Sequence, residues 1–408
     1  MTSTEAHPVA PDDYHVLDLF AGPGGLDVAA HFLGVESLGL EWDQSACETR
    51  YAAGLPTFHA DVSAFREERF HEIPETINVL AGGPPCQTYS VAGSGTGRKD
   101  LDRVKGFIDL IVAGKPDDEI DAELERLSPD DRRTGLVLEP LRWLIKSINV
   151  RGPESIKAIV LEQVPAVEPV WHAYADVLEG GGLPHGVTYS VQVGTLRTEE
   201  YGVPQTRKRA VLIARLVGSG GVELPKPTHH RFTRKNADES ESDATLPMEI
   251  GAEGDDAKKA YRTMGEALAA SRTGNFTLVS NYGQGGDPKK RGRRTAAQPA
   301  FTVTGKASRN VLLPDGDETR RSNLTIPEAG ILQTFPANYP WSGGDKSQQV
   351  GNAVPPLFGM HVINAALGLG RETMPETLPL WTSASSEETK RLRDLGCGDE
   401  SRCPGKPS

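Results

Sequence analysis

The chain has 408 residues, a length that fits two to three domains of ordinary size with a real core. Its 37% hydrophobic and 25% charged residues are those of a globular protein. No apolar run reaches the roughly 20 residues a bilayer demands, and Met1 to Asp13 is too polar for a signal peptide, so no membrane partner and a cytoplasmic location are expected. A net charge of -12 argues against a nucleic-acid partner, since phosphate binding usually shows as a basic excess, and four scattered cysteines (Cys47, Cys86, Cys397, Cys403) give neither a disulfide framework nor a CxxC zinc site, so no metal is expected.

The first predicted strand, His15 to Phe20, runs into Ala21-Gly22-Pro23-Gly24-Gly25 and then a helical stretch, Leu26 to Leu33. Strand, glycine turn and helix form a nucleotide-type cradle, because glycines let a ligand approach the backbone and the helix N-terminus offers free N–H groups. The spacing is not G-x-G-x-x-G, which argues against a dinucleotide site. A second strand, Ser37 to Leu40, ends in Glu41-Trp42, where an acid can hold ribose hydroxyls and an indole can stack on a base. A third, Thr57 to Ala60, ends in Asp61-Val62. Each acid also reads as a helix N-cap or a solvated strand end.

The apolar run Ile77 to Ala81 leads into Gly82-Gly83-Pro84-Pro85-Cys86-Gln87, a stiffened loop at a strand's carboxyl end, where open α/β sheets do chemistry. Cys86 reads as a nucleophile there, or as a buried structural cysteine. Residues 98–131 form a charged, helix-like stretch expected as an appendage beside this loop, its acidic half facing away from phosphates. A helix over Leu136 to Ile148 and a strand over Ala158 to Leu161 follow, the strand ending in Glu162-Gln163-Val164. His185 to Leu196 and Arg209 to Leu216 read as an antiparallel closing pair, joined through Pro204-Gln205-Thr206-Arg207-Lys208-Arg209.

From Val217 the order lapses, and 217–298 reads as a second, smaller domain. Charge is segregated: Gln205 to Lys235 is strongly basic, as is Lys289 to Arg294, while acids crowd into Asp117 to Asp131 and Asp238 to Asp256. That pattern suits a basic cleft in an otherwise repelling surface. Leu324 to Phe335 predicts a helix entered through Pro327 and Glu328, and Gln348 to Pro356 opens a last helix, Leu357 to Leu367. Beyond Gly370 a mobile polar tail is expected.

Five motifs in one order now resemble the cytosine-C5 DNA methyltransferase family: Asp18-Leu19-Phe20-Ala21-Gly22, Pro84-Pro85-Cys86-Gln87, Glu162-Gln163-Val164, Gln205-Thr206-Arg207-Lys208-Arg209 and Gly351-Asn352-Ala353-Val354-Pro355-Pro356. The resemblance covers about residues 14 to 370 and implies an α/β fold. This is a Rossmann-like S-adenosylmethionine-dependent methyltransferase sheet with a smaller, irregular target-recognition domain. The expected divisions are catalytic 14–216, target recognition 217–298, a return segment 299–370 that completes the cofactor pocket, and a tail 371–408.

Carried over by position, Phe20, Ala21, Gly22, Gly25 and Leu26 would bind S-adenosylmethionine, with Glu41 on the ribose. Trp42 and Val62 would lie against adenine, Asp61 on its amino group, and Asn352 and Val354 would close the pocket. Cys86 would add to cytosine C6, Glu162 would bond N3 and the exocyclic amine, Arg209 would hold O2, and Arg207 would lie near a phosphate or brace the loop. The base must leave the stack to reach them. The implied partner is double-stranded DNA, the chain a monomer, with a cognate restriction endonuclease or other defence-system protein as a possible companion.

One departure concerns chemistry. The family usually has Glu-Asn-Val where this chain has Glu-Gln-Val, so Gln163 must support the catalytic loop with one more methylene. Two rival readings are a tRNA cytosine-C5 methyltransferase and a non-catalytic DNA-binding module on the same fold. The long segment between Arg215 and Gln298 favours DNA over tRNA, and the presence of Cys86, Glu162 and Arg209 disfavours the binding module.

Overall fold

The computed structural model describes residues 10–85, 96–126, 135–233, 258–283, 291–383 and 390–391. Its first strand, β1 (His15–Leu19), is buried on both faces, as a near-continuous apolar run demands in the middle of a parallel sheet. The chain then alternates helices and strands: α1 (Gly25–Leu33), β2 (Glu36–Glu41), α2 (Gln44–Ala53), β3 (Thr57–His59), α3 (Val62–Glu68) and β4 (Val79–Gly82). After α4 (Thr96–Val112), α5 (Asp117–Glu125) and α6 (Glu139–Arg151) come β5 (Ala158–Gln163), α7 (Glu168–Glu179), β6 (Tyr189–Arg197) and β7 (Lys208–Leu216).

These strands form one sheet in the order β3-β2-β1-β4-β5-β7-β6, with β7 antiparallel to both neighbours and the other pairings parallel. Strand order reverses between β1 and β4, which leaves a crevice beyond their carboxyl ends, where open sheets of this kind bind ligands. The glycine turn leaves β1 on one side of that crevice, and the Gly83-Pro84-Pro85 segment leaves β4 on the other. Helices cover both faces. Trp143 of α6, Trp171 and Tyr174 of α7 and Phe65 of α3 pack on one face with Leu17 and Leu19, while Val16 joins α1 on the other.

The second sheet is antiparallel, in the order β11-β10-β8-β9, from β8 (Phe276–Gly283), β9 (Arg291–Thr295), β10 (Val311–Pro314) and β11 (Ser322–Asn323). Its core joins Met264 and Leu268 of α8 (Met264–Leu268) to Ala300, Val303, Leu312 and Leu324, and to Leu332 of α9 (Ile326–Leu332). Both α8 and α9 open with a capping box, Thr263 with Glu266 and Thr325 with Glu328, each satisfying backbone donors that a helix start leaves unpaired. A division at 298 therefore cuts through one packed cluster, because the strands that complete the small sheet lie on both sides of it. The chain returns through α10 (Lys346–Asn352), a separate short helix that stops before Pro355, and α11 (Pro356–Leu367). The last helix lies against α1 so closely that a Cβ on Gly359 would stand 2.9 Å from that of Ala29.

Two expectations are corrected. The 98–131 stretch is no appendage: Val104, Phe107, Ile108, Ile111 and Ile120 are buried in the main core. Asp117 and Asp121 bond buried Arg142, and Asp117 also bonds buried Arg66. Two acids of α5 are thus fixed by guanidinium groups on α3 and α6, a partnership that sequence distance hides. Residues 371–383 are no loose tail either, since the buried Trp381 packs on His31, Phe32 and Tyr339 and donates from its indole nitrogen to the Ala53 carbonyl at 2.9 Å. Among the described residues no helix is long and apolar enough to cross a membrane.

Candidate active site and cofactor cavity

A cavity of about 760 Å³ opens at the strand-order reversal, and the residues around it come from every predicted motif. Phe20, Ala21, Gly22, Gly25, Leu26, Glu41, Trp42, Glu162, Arg207, Arg209, Asn352 and Val354 all line it. Asp61 and Val62 do not. Asp61 caps α3, accepting from the Ser63 and Ala64 amides at 2.9 and 3.0 Å, while buried Val62 gives its carbonyl to the Trp143 indole. Cys86 lies outside the described residues.

The turn after β1 is built for close approach. Phe20, Gly22 and Gly24 all adopt left-handed backbone, at φ of 59°, 55° and 101°, and Phe20 does so as a non-glycine residue, a strain that belongs at functional turns. Gly25 has a different reason to be glycine: a Cβ there would sit 2.3 Å from the Val354 carbonyl oxygen. That missing methyl is what lets the distant 352–354 segment close over the turn.

Glu41 ends β2 with its carboxylate gripped by three backbone amides, Gly22 on one oxygen at 2.7 Å and Trp42 and Asp43 on the other at 2.9 and 2.7 Å. Burial pushes its pKa above the ordinary carboxylate value, against the pull of those amides. Beside it the Trp42 ring is 72% exposed, an unusual amount of aromatic surface to leave open at a cavity lip. Beneath the turn, Arg50 and Asp27 form a fully buried bidentate pair at 2.6 and 3.0 Å, with the Arg50 Nε on Thr57 Oγ1 at 2.9 Å. Sequence reasoning missed this brace.

It also missed Asp18 as a cavity residue. Asp18 is 2% exposed, its Oδ1 has no hydrogen-bond partner, and it lines the cavity. Burial first, then the charge of Asp27, holds its pKa well above the usual carboxylate range. The available signal was an acid in the middle of an otherwise apolar strand. S-adenosylmethionine fits this lining: the Glu41 carboxylate at the glycine turn can accept from hydroxyl groups, and the exposed Trp42 indole beside it suits an adenine.

On the far side of the crevice, β5 and β7 pair with Glu162 opposite Val211 and Gln163 opposite Ala210. Glu162 is 7% exposed, and its Oε1 meets Arg209 Nε at 2.6 Å. Arg207 is turned away from solvent, donating from Nη1 to the carbonyls of Val303 at 2.9 Å and Gly351 at 3.0 Å. Burial, reinforced by Arg209, lowers its pKa well below the ordinary arginine value. Arg207 thus ties the arginine turn to the segments around Val303 and Gly351. Gln163 bridges two segments: its Nε2 donates to the Pro84 carbonyl at 2.5 Å, while its Oε1 accepts from the Val164 amide. The longer amide thus reaches the loop that leads to Cys86.

A second cavity of about 530 Å³ lies between the two sheets and shares Arg207 and Arg209 with the first. Arg197, Lys208 and Arg294 add to its basic lining, with Glu199 the acid among them. Glu199 is buried, and burial raises its pKa.

The chain has relatives among known proteins. A sequence model described as C-5 cytosine-specific DNA methylase matches residues 14–116 and 183–367. Glu162 falls in the gap between the two matched segments, so its place beside Arg209 comes from the coordinates. The type II methyltransferase M1.HphI of Haemophilus parahaemolyticus is 26% identical over 374 residues, covering 86% of each chain. The type II methyltransferase M.Eco47II of Escherichia coli is 26% identical over 383 residues, covering 88% of this chain and 79% of its own. Among solved structures, the S. pombe Dnmt2 methyltransferase aligns at 14% identity with a TM-score of 0.49, over 87% of this chain and 98% of its own. With the family model matched over residues 14–116 and 183–367 and its motifs gathered around one cavity, the chain belongs to the C-5 cytosine-specific DNA methylase family.

Proposed function

We propose that this DNA cytosine-5-methyltransferase acts at a specific site in double-stranded DNA, on a cytosine flipped from the stack into the crevice between the glycine turn and the Glu162–Arg209 pair. The observation that supports this most is that one cavity receives both the turn suited to S-adenosylmethionine and the Glu162–Arg209 pair, with the Pro84 carbonyl tied to the strand that bears Glu162. When bound, S-adenosylmethionine would supply the methyl group, its sulfonium keeping the broken bond's electron pair and leaving as a neutral thioether. Phe20, Ala21, Gly22, Gly25 and Leu26 would cradle it, Glu41 would take its ribose hydroxyls on oxygens already oriented by backbone amides, Trp42 would cover its adenine, and Asn352 and Val354 would close the pocket.

Cytosine C5 is a weak nucleophile. The Cys86 thiolate therefore forms a bond to C6, which makes C5 an enamine-like carbon able to take the methyl group. Glu162 bonds N3 and the exocyclic amine, and Arg209 holds O2, so the ring can accept the electron pair that the sulfur brings. Loss of the C5 proton then returns the pair to the ring as the S–C6 bond breaks, releasing 5-methylcytosine and free thiolate. Sequence choice is assigned to the 217–298 segment together with the small sheet it helps build, because base-edge readout needs side chains free to enter a groove. The chain acts as a monomer, and its relatives' type II names fit a role beside a restriction endonuclease. Bisulfite sequencing of DNA from cells expressing the chain should show protected cytosines in one short sequence context, lost in Cys86→Ser. Modification of RNA with none of DNA, measured side by side, would reverse the substrate.

A further inference from the structure

The run Lys289 to Arg294 looks like a phosphate-binding strip, yet the structure treats Arg293 and Arg294 differently. Arg293 is exposed and pairs with Glu318 at 2.8 Å. The Arg294 guanidinium instead lies between two rings, its carbon 4.8 Å from the Phe232 centroid and 4.3 Å from that of Phe301. Its Nη1 donates to Thr206 Oγ1 at 3.0 Å and to the carbonyls of Pro299 and Ala300, both at 2.8 Å. A plane that stacks on aromatic faces while donating from its edge is a geometry open to arginine and closed to lysine.

The residue it grips is the hinge of the arginine turn. Thr206 also donates its backbone amide to Ala300 at 2.9 Å and accepts from Thr302 Oγ1 at 2.6 Å, and the Ala300 amide donates back to Pro204 at 2.8 Å. One residue further, Arg207 is anchored to Val303 and Gly351. Three residues further, Arg209 meets Glu162. We infer that Arg294 is a positioning residue, a clamp by which the small sheet sets the arginine turn and hence Arg209 against Glu162, and is not a phosphate contact. A change at the small sheet would then reach Arg209 through this side chain as well as through the bonds that Ala300, Thr302 and Val303 make to the turn.

This inference rests on the proposed role of Arg209, so Arg209→Met is measured beside Arg294→Lys and Arg294→Met. The probe is a duplex carrying the methylated site as mapped by bisulfite sequencing. Its Kd is followed against salt, and kcat and KM are measured with labelled S-adenosylmethionine. Removing a phosphate contact lowers the slope of log Kd against log salt by about 0.9. A clamp leaves the slope unchanged and lowers kcat by about tenfold or more, with KM for DNA within about threefold, since a displaced group costs turnover steeply. If Arg294→Met does not fold, Arg294→Lys and Phe301→Leu, which removes one ring face and keeps the guanidinium, give the same readout, the latter with a smaller loss. A slope reduced by about 0.9 overturns the inference whatever the turnover, and so does wild-type kcat in Arg294→Lys together with a large loss in Arg209→Met. Wild-type kcat in Arg209→Met overturns the Arg209 assignment instead.

Discussion

The glycine turn and the arginine turn are both short loops at sheet ends facing the same crevice, but they are held over different distances. The glycine turn is fixed largely by near neighbours, with the amides of Gly22, Trp42 and Asp43 on the Glu41 carboxylate and left-handed residues in sequence, and a missing Cβ admits Val354. The arginine turn is fixed from far along the chain, by backbone bonds of Pro204 and Thr206 with Ala300 and by the Arg207 side chain on Gly351, partners 94 to 144 positions away. A turn held by near neighbours presents one shape to a cofactor that never varies. A turn held from the small sheet can take its setting from that sheet.

The sharpest ways to break this contrast begin on the cofactor side. Trp381 seals the aromatic cluster with Tyr339, whose hydroxyl donates to the Pro23 carbonyl in the glycine turn. Trp381→Ala should cost about 3–5 kcal/mol of stability in denaturant titration, as buried tryptophan truncations do. A loss below about 1 kcal/mol would mean that 371–383 is as loose as its polar composition suggested. Gly25→Ala should weaken S-adenosylmethionine binding about a hundredfold in calorimetry, about 2.7 kcal/mol, by forcing Val354 away from the turn. An unchanged Kd would show that the 352–354 segment does not need that closeness.

On the catalytic side, Gln163→Met keeps length and shape and removes the amide that holds Pro84. It should lower kcat about tenfold, the order of one hydrogen bond, while Kd for S-adenosylmethionine stays within about twofold. Equal losses in both would mean that the bridge supports the fold generally rather than the loop.

The smallest effect concerns pH. Asp18 has its folded pKa raised by burial, so the folded chain binds more protons than the unfolded one once pH passes the ordinary carboxylate value. Stability without cofactor is then lost as pH rises from about 4 toward the raised pKa, by at most about 1.4 kcal/mol per pH unit. Asp18→Asn should remove that decline, so the difference in Tm between the two proteins should grow in favour of the variant with rising pH. A difference independent of pH would show that Asp18 stays charged.

How much of this was legible follows the same contrast. The seven-stranded sheet was readable because each parallel strand is a short apolar run ending in a turn, and the antiparallel pair β6 and β7 showed in its alternation. Phe20, Gly22 and Glu41 were readable because their contacts are nearly local. Asn352 and Val354 were placed only through the family's motif order, since nothing near Gly25 in sequence announces what fills its missing side chain. Asp61 was open to two readings because an acid after a strand is equally a helix cap, and its Oδ1 caps the start of α3. Arg294 was read as part of a charge run, because two aromatic partners at 232 and 301 cannot be paired with it by spacing. The small sheet escaped for the same reason: its strands lie on both sides of residue 298, and the register of β8 with β9 shifts between Val279 and Gly283.

The central claim is covalent catalysis from the loop that Gln163 ties down, and fluorine tests it directly. A cytosine bearing fluorine at C5 can take the methyl group but has no C5 proton to lose, so the S–C6 bond cannot break. DNA with 5-fluorocytosine at the mapped target base should trap the enzyme as a denaturant-resistant adduct only when S-adenosylmethionine is present, and Cys86→Ser should abolish the band. Absence of an adduct from enzyme shown to methylate the unfluorinated site, or an adduct that persists in Cys86→Ser, would contradict the account.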